Sequence, residues 1–438
     1  MYHAAMRYRA LYVPLATFAL IFVQAAVFAA GVRAIGPIDE QAHFDNVIQI
    51  RKGNFPVPAG VRYAHETVRE WACRPVDRAA SIAALCEHPD AETPLPYGGI
   101  NYEARYGPVY YVTAAAGSAV LDRLGVNTLT GTRLVSAFCY ALGAALLVVV
   151  VSRFAISRLA VAGFVLLVST TGAAFGMGVT VGPDAMVLLL TAAAIATPLL
   201  PRSLKAAALL TAVAGLLIGL TKPSLIVCTV FGSVLLGARL LHTERASLES
   251  RWRSIVRGGV AIVAPLFCTV LSAGGWAALS TLRGVPGASY DGGIHERQQS
   301  SMGLFGRTLE HVRNLLFASS YEHLSFTILQ TPLLDAAALV ITIAVIGACF
   351  CSVLVKMQMD WQANAILRAA LISIPLSAVL LTVMIWAAQG GAHVAASRFG
   401  IPLLAGAAAA LGAASTRAAA IPIAGLAVLI WATAFLLL

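Results

Sequence analysis

The sequence predicts an all-α polytopic membrane protein, a bundle of about eleven transmembrane helices. Hydrophobic residues make up 59% of the 438 residues and charged residues only 11%, whereas soluble domains carry about 25% charged residues. Apolar runs of helix length recur as far as Leu438, which favours a helical bundle over a barrel. The net charge of +10 indicates loop orientation first in such a protein and implies no nucleic-acid partner.

The first apolar run, residues 11–32, is predicted to be a retained helix. It is longer than the core of a signal peptide, and it lacks a small-residue cleavage site. Arg7 and Arg9 precede it, which places the N-terminus in the cytoplasm. Residues 33–129 then form a first extracytoplasmic loop, and polar connections of this length are usually functional.

Within this loop, the segment 107–124 is predicted to lie along the outer membrane interface. At roughly 16 residues it is short for a span. Pro108 opens it, and Tyr110 and Tyr111 suit the level of the lipid headgroups. If this segment crossed the membrane, the basic loop 242–257 would face outside, against the positive-inside rule.

The remaining spans complete one transmembrane domain that covers residues 1–438. A second extracytoplasmic loop is expected at 282–331, with an amphipathic surface helix around 307–313. The predicted spans lie near residues 130–152, 157–176, 183–200, 204–221, 223–241, 258–281, 332–355, 366–388, 397–414 and 418–438.

Two of the seven cysteines, Cys73 and Cys86, lie in the first loop, and the other five lie in apolar runs. The five are expected to be small packing residues. Cys73 and Cys86 either form a disulfide, if the loop faces an oxidising compartment, or remain two unpaired thiols.

The stretch Pro37-Ile38-Asp39-Glu40-Gln41-Ala42-His43 follows the first helix directly. If Pro37 opens a helix, Asp39, Glu40 and His43 share one face, because they are three and four residues apart. Charges just outside a membrane helix are costly unless they face water, a partner or a substrate. The alternative is an acidic first turn that complements a helix dipole.

Three basic residues, Arg133, Lys222 and Arg398, are predicted at the outer ends of spans, where the orientation rule does not require them. Asp184 is predicted at the same level. These side chains either extend to the interface, or pair with Asp184, or form a cluster that binds a lipid phosphate.

These motifs resemble the GT-C superfamily of polyprenyl-phosphate-sugar-dependent membrane glycosyltransferases. The resemblance is carried by Pro-x-Asp-Glu-x-x-His after the first helix, then Gly107-Pro-Val-Tyr-Tyr, then a span that begins Arg133-Leu-Val-Ser. Gly-Pro-Asp184-Ala, Thr-Lys222-Pro and Gln389-Gly390 followed by Arg398-Phe399 are similar to one poorly characterised bacterial branch of that superfamily. Gly182 departs from its usual Asn-Pro-Asp, and an insertion separates Gln389-Gly390 from Arg398.

The resemblance implies an inverting glycosyltransferase in the bacterial inner membrane, with its active site on the extracytoplasmic side. Asp39 would be the general base on the acceptor hydroxyl, and Glu40 would assist it. The substrate-binding residues would be His43, Arg133, Asp184, Lys222 and Arg398, the cations among them stabilising the leaving polyprenyl phosphate. The acceptor would be a cell-envelope lipid, glycan or protein.

Some members of the superfamily use a divalent metal, for which Asp39 and Asp184 are the candidate ligands here, but the residues require no cofactor. The sequence has no phosphate-binding Gly-x-x-x-x-Gly-Lys and no His-Glu-x-x-His. The rival class is a polytopic transporter or lipid-linked-sugar flippase, in which Asp184 and Lys222 would line a substrate or proton path. A module that binds a soluble substrate ranks third.

Overall fold

The structure is a computed structural model that describes residues 2–36, 39–75, 84–87, 95–243, 248–286, 303–318, 331–355, 359–389 and 396–436. Within these ranges the chain is helical and forms no β-strand beyond isolated bridges such as Arg62 with Ile100. Its helices are α1 (Tyr2–Gly31), α2 (Glu40–Arg51), α3 (His65–Ala72), α4 (Ala84–Glu87), α5 (Pro108–Arg123), α6 (Thr128–Val151), α7 (Arg158–Ser169), α8 (Gly172–Val179), α9 (Val187–Leu199), α10 (Leu204–Gly219), α11 (Ile226–Thr243), α12 (Leu248–Leu282), α13 (Leu304–Leu316), α14 (Pro332–Leu354), α15 (Trp361–Gln389), α16 (Ile401–Ala414) and α17 (Arg417–Leu436).

Eight stretches in the described ranges are long and apolar enough to cross a membrane. They are Leu11–Gly31, Thr128–Phe154, Pro223–Thr243, Gly259–Leu282, Leu334–Leu354, Trp361–Ala387, Ser397–Ala414 and Arg417–Leu436. The architecture is therefore that of a polytopic helical membrane protein.

The other three predicted spans are the irregular ones. The segment 157–176 is split between α7 and α8, which are bent by 80° and count as one further span if taken together. The segments 183–200 and 204–221 form shorter apolar helices, Pro183–Leu199 and Leu204–Gly219. The total of about eleven spans therefore stays a prediction.

Small residues let the helices approach closely, as is typical of membrane bundles. A Cβ atom built on Gly143 of α6 would lie 2.2 Å from the backbone nitrogen of Leu189 in α9. A Cβ atom on Gly219 of α10 would lie 2.2 Å from the Ser272 hydroxyl oxygen in α12. Any larger residue at either glycine would push these helix pairs apart.

Two helices of the first loop, α2 and α5, pack against each other. Near the start of α5, the Tyr111 hydroxyl lies 2.8 Å from His43 Nδ1 of α2. At the other end of α5, Asp122 accepts a 2.8 Å hydrogen bond from Arg51, also on α2. Both ends of α5 therefore contact the same short helix, an arrangement that suits the predicted surface position of residues 107–124.

The C-terminal end of α12 meets the same loop. The Ser280 hydroxyl donates to the Val57 carbonyl oxygen at 2.7 Å, and the Ala59 backbone N–H donates to the Ser280 carbonyl. After α12, residues 287–302 and 319–330 of the predicted second loop lie outside the described ranges. The helix predicted around 307–313 is confirmed as α13, which packs against α15 and the 397–400 turn.

Cys73 and Cys86 form a disulfide with a Cα–Cα distance of 4.8 Å, which confirms the paired alternative. The bond joins the end of α3 to α4. Nearby, the backbone N–H of Ile35 donates to the Pro75 carbonyl, so the bonded region sits against the segment that leads to Asp39.

Replacing both Cys73 and Cys86 by alanine is expected to lower the free energy of unfolding by about 2–4 kcal/mol, because a loop of this length loses its closure constraint. Thermal unfolding in detergent measures the change, and Cys351→Ala, at an exposed free cysteine, is the matched control. Intact-mass alkylation of the exported protein without reductant checks the bond itself. Modification of both loop thiols under those conditions would exclude it.

Candidate functional site

The predicted site residues meet where the first loop covers the helix ends near residues 182–184, 221–223 and 397–400. Two groups are distinct. One is a buried ion pair between Glu40 and Arg133, and the other is a cation cluster around Asp184. Asp39 and His43 lie on the loop side of these groups.

Glu40 and Arg133 bind each other in the interior, with 0% and 1% of their surfaces exposed. Arg133 Nε and Nη2 donate to the two Glu40 carboxylate oxygens at 2.8 and 2.6 Å. Arg133 also donates to the carbonyl oxygens of Val32 and Ala34, both at 2.7 Å. A bidentate arginine–carboxylate pair of this kind is geometrically specific.

The Glu40 carboxylate also accepts hydrogen bonds from two backbone N–H groups. Gly36 donates to Oε2 at 2.6 Å and Val181 donates to Oε1 at 2.9 Å. The pair thus joins the end of α1, the start of α2, α6 and the turn that carries Asp184. The sequence pattern predicts a catalytic role for Glu40 and substrate binding for Arg133, and in the structure the two side chains bind each other and join these segments.

Asp39 lies immediately before α2 in the left-handed backbone region, with φ 52° and ψ 11°. Aspartate tolerates this conformation better than most residues. Its side chain makes no capping hydrogen bond to α2, although Asp39 and Glu40 do place two carboxylates at the N-terminus of that helix, as the dipole alternative expects. Instead, the Tyr102 hydroxyl donates to Asp39 Oδ1 at 2.6 Å. A half-buried carboxylate that sits in this sparsely populated backbone region and accepts a hydrogen bond from a tyrosine is typical of a functional residue.

The predicted shared face of Asp39, Glu40 and His43 is not what forms, because the helix begins at Glu40 and Asp39 precedes it. Pro37, which the prediction placed at the helix start, lies outside the described residues. The three side chains contact different partners, Tyr102, Arg133 and Tyr111 respectively.

His43 is buried between α5 and the 182–184 turn. Burial, with the nearby Lys222 ammonium, lowers the pKa of His43 to about 3. A Cβ atom on Gly182 would lie 3.2 Å from His43 Cδ2, so a larger residue there would need His43 to shift. The lowered pKa favours the neutral imidazole at physiological pH, and its Nδ1 shares a hydrogen bond with the Tyr111 hydroxyl.

Asp184 accepts hydrogen bonds from the Lys222 ammonium at 3.0 and 2.9 Å, and Arg398 Nε lies 3.4 Å from its Oδ2. The alternative in which Asp184 pairs with a basic residue is thus confirmed. The Lys222 nitrogen also lies 5.3 Å from the centre of the Tyr106 ring and 5.5 Å from that of Phe399. Two cations thus share the Asp184 carboxylate, and Lys222 also faces two aromatic rings.

The approach of Tyr106 to Lys222 depends on the residue that follows it. A Cβ atom on Gly107 would lie 2.0 Å from the Leu220 carbonyl oxygen. That same oxygen accepts a hydrogen bond from the Val109 backbone N–H at 3.1 Å. The glycine therefore brings the first loop onto the α10–α11 connection. The sequence analysis also singled out Gln389-Gly390, which precedes Arg398-Phe399. Its position relative to the site is not described, because Gly390 lies outside the described residues.

Sequence reasoning missed Tyr102, Glu103 and Tyr106. Glu103 is buried, and its backbone N–H donates to Asn101 Oδ1 at 3.0 Å while its carbonyl accepts from Asn46 at 2.9 Å. Burial and the neighbouring Asp39 carboxylate raise the pKa of Glu103 to about 8. The only sequence signal was a run of polar and aromatic residues directly before Gly107.

Asp45 fixes the backbone from which Tyr102 and Glu103 extend. Its carboxylate accepts from the Ala64 backbone N–H at 2.7 Å, from the Thr67 hydroxyl at 2.9 Å and from Asn101 Nδ2 at 2.8 Å. Burial raises the pKa of Asp45, and these hydrogen bonds oppose the rise. This buried network joins α2, α3 and residue 101. It therefore fixes the position of the segment that carries Tyr102 and Glu103.

The donor set does not suit a divalent metal. Across the described ranges, no group of three or more His, Cys, Asp or Glu side chains could hold one. Of the two predicted ligands, Asp184 is already neutralised by two cations, and Asp39 is held by a phenol. A cation at Asp184 would have to displace Lys222 and Arg398 first.

No family model matches the chain, and no curated protein or solved structure matches it either. A function for this protein is therefore inferred from the residues of the candidate site.

Proposed function

We propose that this protein is an inverting glycosyltransferase that moves a sugar from a polyprenyl-phosphate donor to a cell-envelope acceptor. The observation that supports this most is that one short segment contacts both kinds of group: Tyr102 donates to the Asp39 carboxylate, and the Tyr106 ring centre lies 5.3 Å from the Lys222 nitrogen. Glycosyl transfer from a lipid phosphate requires both a base for the acceptor hydroxyl and positive charge for the leaving group.

In the proposed reaction, an Asp39 carboxylate oxygen takes the proton of the acceptor hydroxyl. The acceptor oxygen forms a bond to the anomeric carbon, and the bond from that carbon to the phosphate oxygen breaks. The electron pair leaves with the polyprenyl phosphate, whose added charge Lys222 and Arg398 stabilise. Asp184 orients the two cations and His43 lines the site, while Glu40 and Arg133 are positioning residues.

The finer architecture belongs to this proposal: a GT-C-like bundle of about eleven spans in the bacterial inner membrane, with a cytoplasmic N-terminus and an extracytoplasmic site. Two features support it. The basic loops fall on one side when residues 107–124 do not cross the membrane. Both ends of α5 contact α2, as a surface segment would.

Sidedness is testable by cysteine labelling in a variant whose five free cysteines are replaced by alanine. An impermeant thiol reagent should label a cysteine at Arg123 in intact spheroplasts. A cysteine at Thr416, in the connection between α16 and α17, should react only after permeabilisation, because α16 runs from the site to the opposite face. Labelling of Thr416→Cys before permeabilisation would put the site in the cytoplasm.

The activity is tested with purified protein in liposomes and a panel of polyprenyl-phosphate sugars, with product detected by mass spectrometry. Lys222→Met should weaken donor binding by roughly 1.5–3 kcal/mol, the value of a hydrogen bond to a charged group. Lys52→Met, at an exposed lysine of the first loop, is the matched control. Unchanged donor affinity in Lys222→Met would place the phosphate elsewhere.

The buried Lys222–Asp184 pair also suits a transporter or flippase, since ionisable pairs inside membranes mark substrate paths. The same liposomes separate the two functions. Movement of the lipid-linked sugar between leaflets without formation of a new glycosidic bond would favour the transporter.

A further inference from the structure

Glu103 is a third carboxyl group at the site, and the proposed reaction leaves it without a role. Its backbone is fixed by hydrogen bonds with Asn46 and Asn101, and the residue is buried. Among the described ion pairs, Asp184 takes both Lys222 and Arg398, and none includes Glu103. The Tyr106 ring, which lies under Lys222, belongs to the same turn as Glu103.

The charges at the site do not balance if every carboxyl group is ionised. Asp39, Asp184 and Glu103 would carry three negative charges against the two cations Lys222 and Arg398. Burying an unpaired charge costs several kcal/mol, so such a group takes up a proton instead. Glu103 is the group that does so, because it is buried and has no ion-pair partner in the described contacts. The ionisable groups that act on it are Asp39, Asp184, Lys222, Tyr106, Tyr102 and Tyr111.

We infer that Glu103 is a neutral carboxylic acid in the resting site and donates its proton as a hydrogen bond to the phosphate of the bound lipid-linked donor. This inference rests on the proposed function, and it adds a neutral hydrogen-bond donor to the two cations. A protonated carboxyl can donate where an ionised one would repel the phosphate. The site would thus bind an anion without first gathering more positive charge.

The direction of the pH dependence follows from this state. Burial and Asp39 raise the pKa of Glu103 to about 8, so the acid form is present at neutral pH. As pH rises through that value, Glu103 loses its proton, the hydrogen bond is lost and a repulsive charge takes its place. Affinity for the phosphate should therefore fall on the alkaline side.

The test uses farnesyl methyl phosphate, a diester whose own charge is constant over the range, with purified full-length protein from about pH 7 to pH 9. Wild-type affinity should fall about tenfold or more across this range. In Glu103→Gln, whose amide still donates, affinity should remain within about threefold of wild type at pH 7 and become independent of pH. In Glu103→Ala it should fall about tenfold at pH 7, while Glu66→Gln, at an exposed glutamate of the first loop, should behave as wild type.

A Glu103→Gln variant that keeps the wild-type pH dependence would overturn the inference, as would a Glu103→Ala variant that binds as wild type does. Inorganic phosphate is the comparison probe. If the protein bound it as tightly as farnesyl methyl phosphate, the inference that the bound phosphate belongs to a lipid would be overturned. Infrared titration supplies a readout that needs no enzyme activity, because a carboxylic-acid band should titrate with a midpoint near pH 8 and vanish in Glu103→Gln. If the carboxylic-acid band titrates and the affinity of Glu103→Gln is independent of pH, but no sugar transfer is detected, the proposed function fails and the inference stands.

Discussion

Asp39→Asn is expected to reduce sugar transfer by roughly 10²–10⁴-fold, the usual contribution of a general base. Asparagine has the same shape, and its carbonyl oxygen can still accept the hydrogen bond from Tyr102, but it cannot take the acceptor proton. It also tolerates the left-handed backbone of position 39. The fold should therefore persist while turnover is lost, which initial-rate measurements at saturating donor will show.

Asp122→Asn is the control for this prediction, because it removes an exposed carboxylate of the same loop that lies beside α2 rather than in the site. It should leave turnover near that of wild type. Donor affinity should also be little changed in Asp39→Asn, since the phosphate-binding cations are intact. Near-normal turnover in Asp39→Asn would remove Asp39 from the role of base.

Arg133→Met is expected to destabilise the protein by about 3–5 kcal/mol, because it leaves the Glu40 carboxylate buried without its counter-charge. The double variant with Glu40→Leu should recover part of this loss, since both charges are then gone. Denaturant unfolding of Arg133→Met, Glu40→Leu and the double variant in detergent gives the coupling energy between the two side chains.

Arg153→Met, at an exposed arginine just after the C-terminal end of α6, is the control and should change stability by less than about 0.5 kcal/mol. The experiment also separates the two roles of Arg133. An Arg133→Met protein that is as stable as wild type but binds the donor weakly would make Arg133 a phosphate ligand rather than a positioning residue.

The sequence predicted the helical membrane class and the segments that carry the site, because long apolar runs and motif positions are local properties. It did not predict which charges pair. Arg133 and Glu40 are 93 residues apart. Because an unpaired buried charge is costly, each needs a partner, but the sequence does not show which residue that partner is. Asp184 had three candidate cations, and packing of the helix ends decided that Lys222 and Arg398, not Arg133, lie beside it.

Glu103 was missed for a different reason. A single glutamate in a polar stretch has no period and no motif, so its burial depends on how residues 95–107 fold over α2. The irregular spans were also hard to define, because a bend between two helices leaves no mark in an apolar sequence. The 80° bend between α7 and α8 interrupts an apolar run that looks continuous in the sequence.

The division of Asp184's counter-charge between Lys222 and Arg398 has a consequence for biosynthesis. Asp184 and Lys222 emerge from the ribosome close together, whereas Arg398 follows only after α12, α14 and α15 have been made. A nascent chain can thus bury the Asp184–Lys222 pair early, as a neutral unit that the bilayer tolerates. The second cation arrives last, so the pair of cations proposed to bind the lipid phosphate is complete only when the final helices join the bundle.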